Sequence, residues 1–300
     1  MNDYTLLGHL VDSEPDSVSS IKKHAEDILV RAGAVEVFPT PVEQIIAAAE
    51  LSELDDIEEA KEFFLKTVSK DIRKSFLSGW NKIRGFADLK KKVIFSKPEE
   101  LPARQVWPKL HEVSHQILPW QAEVVRYLDD DKSLSPSCEE EFELEANFCA
   151  GEFLFQGKIF SEMSQSYRPD FGTIFFLADK FGASRQATAR KFMNENDEAV
   201  ALISYYRSKY SFDENGRSYF RLGKAHSVSR KMLKKYSGLH IPDILLPTHP
   251  WISSYNDGEV RSEAMLIESE EKGKKQFLWE SWWNGYNLLV FLREKPSIIF

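Results

Sequence analysis

Three hundred residues, 42% of them hydrophobic and 13% aromatic, are enough to bury the core of one large or two smaller domains. The formal charge of -8 excludes broad electrostatic attraction to nucleic acid or to an anionic membrane, so any DNA contact has to be local. The two cysteines, Cys138 and Cys149, make no disulfide framework, the first residues MNDYTLLGHLVDSEPD carry no leader pattern, and the apolar runs fall well short of the ~20 residues that span a bilayer. The expectation is a soluble, cytoplasmic protein with no membrane partner.

Ile21, Ala25, Ile28, Leu29 and Ala32 recur at helical spacing and stop before Gly33, which predicts a first helix. FPTPVEQIIAAAE predicts a second, with Thr40 as the cap, Pro41 at the first helical position and Glu43 as the capping-box partner. EEAKEFFLKTVSKDIRKSFLSGW is amphipathic and helical, and KKKVIFSKP holds a short buried strand from Val93 to Phe95, ended by Pro98. A helix bearing HEVSH follows. After the loop at 129–137, Ser137 caps a helix over roughly residues 138–155, with Glu140 completing a capping box. LADKFGASRQATARKFM, residues 177–193, reads as helix, glycine turn and helix, a helix-turn-helix-like unit. Beyond about residue 200, aromatic and β-branched runs broken by Asn215-Gly216 and Asn284-Gly285 predict a mainly β domain.

The stretch HEVSHQIL, residues 111–118, carries the chemistry. Positions i and i+4 lie one above the other on a helix, so His111 and His115 present ring nitrogens to one ion with Glu112 beside them. Catalytic zinc takes three protein ligands and leaves one position open, and the third ligand is commonly a carboxylate from a second helix. On the helix after Ser137 the core-facing stripe is Phe142, Ala146, Cys149, Ala150 and Phe153. Glu143 falls on one flank of it with apolar neighbours and needs a partner; Glu145 falls on the other with Glu141 and Glu152, a group that water solvates. Glu143 is therefore the expected third ligand and Glu145 the fallback. Asn147, on the Glu143 face, is the candidate to hydrogen-bond a ligating side chain from outside the metal's own ligand shell.

HEVSH followed by EFELEANFCAGEFL resembles the ImmA/IrrE-type zinc metallopeptidases, whose usual pattern is HELGH and then E-x-x-A-N/D-x-F-A-x-x-L-L. The order upstream is similar too: a helix, a proline-led helix (PTPVEQIIAAAEL), a strand (KKVIFSK), then the metal helix. The resemblance covers roughly residues 20–195. It implies a zincin-like α+β metallopeptidase domain. With the elements read above, the expected fold class is α+β: that domain over 1–160, a small helix-turn-helix-like helical unit over 161–200, and a C-terminal mainly β domain over 201–300, whose aromatic residues read first as its core and, because some relatives carry a sensor there, second as a ligand-sensing or partner-binding surface. The resemblance also implies that His111, His115 and Glu143 hold zinc, with manganese the alternative ion, and that Glu112 is the general base of amide hydrolysis. An extended substrate would pair with a strand near Val93 to Ser96. Tyr127, His249 and Arg104 are candidates to stabilise the oxyanion. By the same resemblance the activity is that of a regulatory protease whose substrate is a helix-turn-helix transcriptional repressor. Ser114 in place of the usual glycine, Pro108 one turn before His111, and Gln156-Gly157 where the family tends to have proline depart from the pattern without removing a ligand.

Two other functions compete. The helix-turn-helix-like unit suggests DNA binding, but between 166 and 200 the bases Arg168, Lys180, Arg185, Arg190 and Lys191 are balanced by the acids Asp170, Asp179, Glu195, Asp197 and Glu198. That neutral balance is a poor footprint for phosphate contacts. The other is a non-catalytic binding module on a zinc-peptidase fold, such as a toxin-antitoxin component or a DNA-associated regulator. The intact HEVSH and Glu143 count against it.

Overall fold

The computed structural model describes residues 4–9, 15–54, 56–67, 85–88, 90–98, 102–121, 135–224, 226–255 and 257–295. The chain divides into two compact units. An N-terminal unit takes residues 14–160 and 178–184; a C-terminal unit takes 161–177 and 185–300 together with residues 1–13.

The first strand, β1 (Tyr4–Leu6), belongs to the C-terminal unit, where it pairs antiparallel with a strand at His240–Pro242. The N-terminal unit starts with α1 (Val18–Arg31), which buries the expected stripe Ile21, Ala25, Ile28 and Leu29. Gly33, at φ +61°, turns the chain after it, a conformation that glycine adopts freely. The next helix, α2 (Val42–Ala48), starts after Pro41 and has no side-chain cap. Thr40, the expected cap, instead donates its hydroxyl to the carbonyls of Phe153 (3.0 Å) and Leu154 (3.3 Å). Those carbonyls lie in the last turn of a later helix, where no intrahelical donor remains.

Three short strands follow the order β2-β4-β3: β2 (Ser52–Leu54), β3 (Gly85–Asp88) and β4 (Val93–Ser96), with α3 (Ile57–Thr67) between β2 and β3. β4 pairs parallel with β2 and antiparallel with β3, and buries Ile94 and Phe95. The predicted strand is therefore present, but it is central. It cannot accept a further strand, so the expected substrate pairing at Val93 to Ser96 is corrected: among the described residues the outer strands are β2 and β3. The predicted helical stretch beyond Thr67, to residue 80, lies outside the described residues, as does the loop at 129–134.

Two helices complete the unit, α4 (Pro102–Ile117) and α5 (Pro136–Phe155). α5 starts earlier than expected: its cap is Ser135, whose side chain accepts from the Cys138 N–H at 3.4 Å, with Pro136 in the first turn. Proline suits that position because its missing N–H would have had no intrahelical partner, and this moves the cap away from Ser137.

Past α6 (Lys158–Ser166), the helix-turn-helix-like segment forms α7 (Phe171–Phe181), a turn at Gly182 (φ +65°) and α8 (Arg185–Glu195). α8 buries Thr188, Ala189, Phe192 and Met193 and packs on β5 (Val200–Phe212) and β7 (Ser227–Val228). The sheet of the C-terminal unit runs β10 (Arg261–Ile267), β11 (Lys275–Trp283), β12 (Asn287–Glu294), β5, β6 (Ser218–Leu222), β9 (Ile244–Leu245), with β7 also on β5. Both predicted turns join neighbours in it, Gly216 between β5 and β6 and Gly285 between β11 and β12, each at positive φ. Tyr205, Phe220, Trp251, Phe277 and Trp279 fill its core beneath α9 (Arg230–Tyr236), and the remaining strand, β8 (His240–Pro242), is the partner of β1. No helix among the described residues is long and apolar enough to cross a membrane.

Thr40→Val keeps the shape of the side chain and removes a buried donor from the end of α5. It should lower stability by about 1 kcal/mol in urea unfolding with an unchanged m-value; a midpoint identical to wild type would show that those carbonyls need no such partner.

Candidate metal centre

α4 is amphipathic in a way that separates packing from chemistry. Leu110 and Val113 are fully buried, while His111 and His115 are partly exposed along the same helix. Ser114 is buried and donates its hydroxyl to the Leu110 carbonyl at 2.7 Å, so the residue that stands in place of glycine satisfies itself within its own turn. Pro108 sits inside the helix, which already begins at Pro102. α5 packs along α4, and its buried residues include the predicted Ala146, Cys149, Ala150 and Phe153. The two helices come close at Gly151, where an added methyl group would stand 3.9 Å from the Trp107 ring of α4, in ordinary contact.

This packing brings Glu143 to the two histidines. Its Oε2 lies 3.3 Å from His111 Nε2 and its Oε1 lies 3.4 Å from His115 Nε2, while the two Nε2 atoms stand 3.2 Å apart. The three residues form a group whose ligand atoms all lie within 4.8 Å of one another. Two imidazoles and a carboxylate are the donor set of a catalytic zinc site. The Glu143 side chain is 60% exposed, so the cluster opens to solvent on its side. Hydrogen bonds from both imidazoles hold the Glu143 carboxyl far below the usual carboxylate range. Burial pulls the pKa of His115 down, but its bonds to Glu143 and Gln121 outweigh that and leave it raised. His111 Nδ1 is buried and has no hydrogen-bond partner among the described residues. The residues present therefore fit a divalent ion.

Glu112 turns away from the solvent side. It is 8% exposed, and burial pushes its carboxyl up to about 7 against the opposing pull of His111 and His115. It lies against the first residue of β3: a methyl group on Gly85 would stand 2.6 Å from Glu112 Oε1 and 2.8 Å from the Phe95 carbonyl. Only glycine leaves the carboxylate room there.

Two expectations about the flanks of α5 are corrected. Glu145, placed with the solvated residues, is 5% exposed and is held by Ser17, by Trp120 Nε1 (2.7 Å) and by Gln121 Nε2 (2.8 Å). α1 and the turn after α4 cover that flank with donors, so the carboxylate is satisfied without a metal. Asn147 is exposed and its side chain makes no hydrogen bond among the described residues; the side chain that reaches one of the clustered histidines is Gln121, whose Oε1 lies 2.8 Å from His115 Nδ1. Of the oxyanion candidates, Tyr127 and the side chain of Arg104 lie outside the described residues, and His249 belongs to the C-terminal unit, where its Nδ1 accepts from the Trp251 N–H at 3.3 Å.

Residues 69–193 match the family model described as the IrrE N-terminal-like domain, and the match contains α4 with His111 and His115, Glu143 and the helix-turn-helix-like segment. Over these residues the chain is similar to the ImmA/IrrE family. The family match spans less than half of the chain. No curated protein matches the sequence. Among solved structures, a Mycobacterium tuberculosis transcriptional regulator is similar, at 12% identity and a TM-score of 0.51 over 91% of this chain and 75% of that one. At that identity the likeness shows the fold alone, over both the segment matched by the family model and the mainly β part.

Gly85→Ala should destabilise the protein by about 1–3 kcal/mol through overpacking, measured by urea unfolding. Adding Glu112→Ala should recover part of that loss, since one of the two close contacts is then gone; strict additivity of the two changes would show that Gly85 and Glu112 do not compete for the same space.

Proposed function

We propose that the chain is a zincin-like, zinc-dependent endopeptidase that acts as a regulatory protease on a helix-turn-helix transcriptional repressor, in the cytoplasm. The observation that carries this reading is the meeting of His111, His115 and Glu143 with Glu112 buried beside them. The similarity of residues 69–193 to the IrrE N-terminal-like domain supports the peptidase class, and the similar fold of a Mycobacterium tuberculosis transcriptional regulator supports a role near transcription. Manganese is the alternative ion.

His111, His115 and Glu143 would hold zinc, which when bound would supply Lewis acidity toward a carbonyl and lower the pKa of bound water toward ~7. Glu112 takes a proton from the attacking water on its carboxylate and delivers it to the leaving amine as the C–N bond breaks. The edge of β3, outer among the described residues, offers main-chain groups to an extended peptide, and Gly85 at its start allows a close approach to Glu112. The solvent-open side of Glu143 is where a peptide carbonyl would enter.

The helix-turn-helix-like segment fits packing or substrate docking better than reading DNA. Arg185 stacks on Phe175 at 4.1 Å, Lys191 pairs with Glu195 at 2.9 Å, and Arg168 lies 3.6 Å from Asp170. Bases committed to such partners are poorly placed to neutralise phosphates.

The test is N-terminal labelling of the proteome in cells that express the wild-type chain or Glu112→Gln. A new N-terminus within a DNA-binding repressor should arise with the wild type, and the variant should retain zinc and lose ~10²–10⁴-fold in cleavage. Equal cleavage by the variant would remove Glu112 from the mechanism. A zinc-loaded wild type that generates no new N-termini would favour the non-catalytic binding module.

A further inference from the structure

The side chain of Gln121 lies between Glu145 and His115, and its hydrogen bonds leave its amide one orientation. Gln121 is 1% exposed, so both ends of the amide need partners. On one side stand two acceptors: Glu145 Oε2 at 2.8 Å and the Phe142 carbonyl at 3.2 Å. The NH₂ end must face them. Glu145 is itself fixed, since the Trp120 indole, which only donates, reaches the same Oε2 at 2.7 Å and the Ser17 hydroxyl donates to Oε1. The carbonyl end of Gln121 is thereby turned to His115 Nδ1, 2.8 Å away.

A carbonyl oxygen cannot donate, so His115 Nδ1 carries the hydrogen. When His115 is neutral its lone pair is then on Nε2, the atom that stands 3.2 Å from His111 Nε2 and 3.4 Å from Glu143 Oε1. We infer that Gln121, locked by Glu145, is a positioning residue that fixes the ring and the tautomer of His115 so that Nε2 faces the metal position. The inference rests on the metal-site reading above and goes beyond it: Glu145 serves the site as the anchor of a three-residue chain, Glu145 to Gln121 to His115, and not as a ligand. Partners of this kind orient a ligating histidine and raise its basicity. Gln121 occupies the turn that follows α4, its N–H bonded to the Leu118 carbonyl at 3.1 Å, so the same chain ties the end of the metal helix to α5.

Two measurements test this on the full-length protein. The first is a long-range ¹H–¹⁵N NMR correlation of His115 in metal-free wild type, recorded above the pH range in which the ring is charged and assigned by its loss in His115→Ala. The hydrogen should be on Nδ1; a hydrogen on Nε2 would overturn the inference whether or not zinc binds. The second is zinc affinity, by competition with a chromophoric chelator, for wild type and Gln121→Met, which keeps the volume and loses both polar ends. The variant should bind ~10–100-fold more weakly, with Nε2–H newly populated in its metal-free spectrum. Wild-type affinity in Gln121→Met, beside loss of zinc in His111→Ala, would overturn the positioning role and leave the ligand set standing. A wild type that binds no zinc would instead sink the metalloprotease reading, with the tautomer result still deciding the role of Gln121.

Discussion

The register between α4 and α5 is the constraint on which the site depends. Neither helix holds a metal by itself: α4 supplies two nitrogens at i and i+4, and only the packing of α5 along it brings the Glu143 oxygens to 3.3 and 3.4 Å from them. Buried side chains hold that register. Leu110 and Val113 on one helix and Ala146, Cys149, Ala150 and Phe153 on the other are all at 0% exposure, and close-packed interiors resist sliding because each knob has one hole. The polar contacts add direction, through Thr40 at the C-terminal end of α5 and Gln121 at the end of α4.

Two glutamates two residues apart on α5 meet opposite environments. Glu143 faces two imidazoles at the rim of an open cluster, while Glu145 is buried among three donors. Alternation around a helix separates their directions by about 200°, so one faces the two histidines and the other the scaffold. Glu112 is a third case, a carboxyl pushed up to about 7 by burial against a glycine strand end. Environment, not residue type, assigns the three roles.

Much of this was legible in sequence because it is local. Helical periodicity placed the buried face of α1 and the stripe on α5, the i, i+4 rule placed the histidines, and two Asn-Gly pairs marked hairpin turns. What escaped depends on partners far along the chain. Glu145 looked solvated because its own helix neighbours are acidic; its donors come from Ser17, Trp120 and Gln121. Thr40 looked like a cap because it precedes a proline, yet its hydroxyl serves carbonyls over a hundred residues away. Val93 to Ser96 read correctly as a strand, but a strand's place in the sheet is set by which others pair with it, and β2 and β3 occupy both its edges. Gln121 carried no sequence signal: its meaning arises only where α5 folds back. β1, paired with β8, is another long-range pairing invisible to local pattern.

The central claim is that His111, His115 and Glu143 together hold one divalent ion. It is tested most directly by metal content per chain of the purified protein, wild type beside His115→Ala and Glu143→Ala, with folding checked by circular dichroism. The account predicts about one zinc in the wild type and loss of it in both folded variants. Full occupancy in Glu143→Ala, or no metal in a wild type purified without chelator and supplied with zinc, would contradict it.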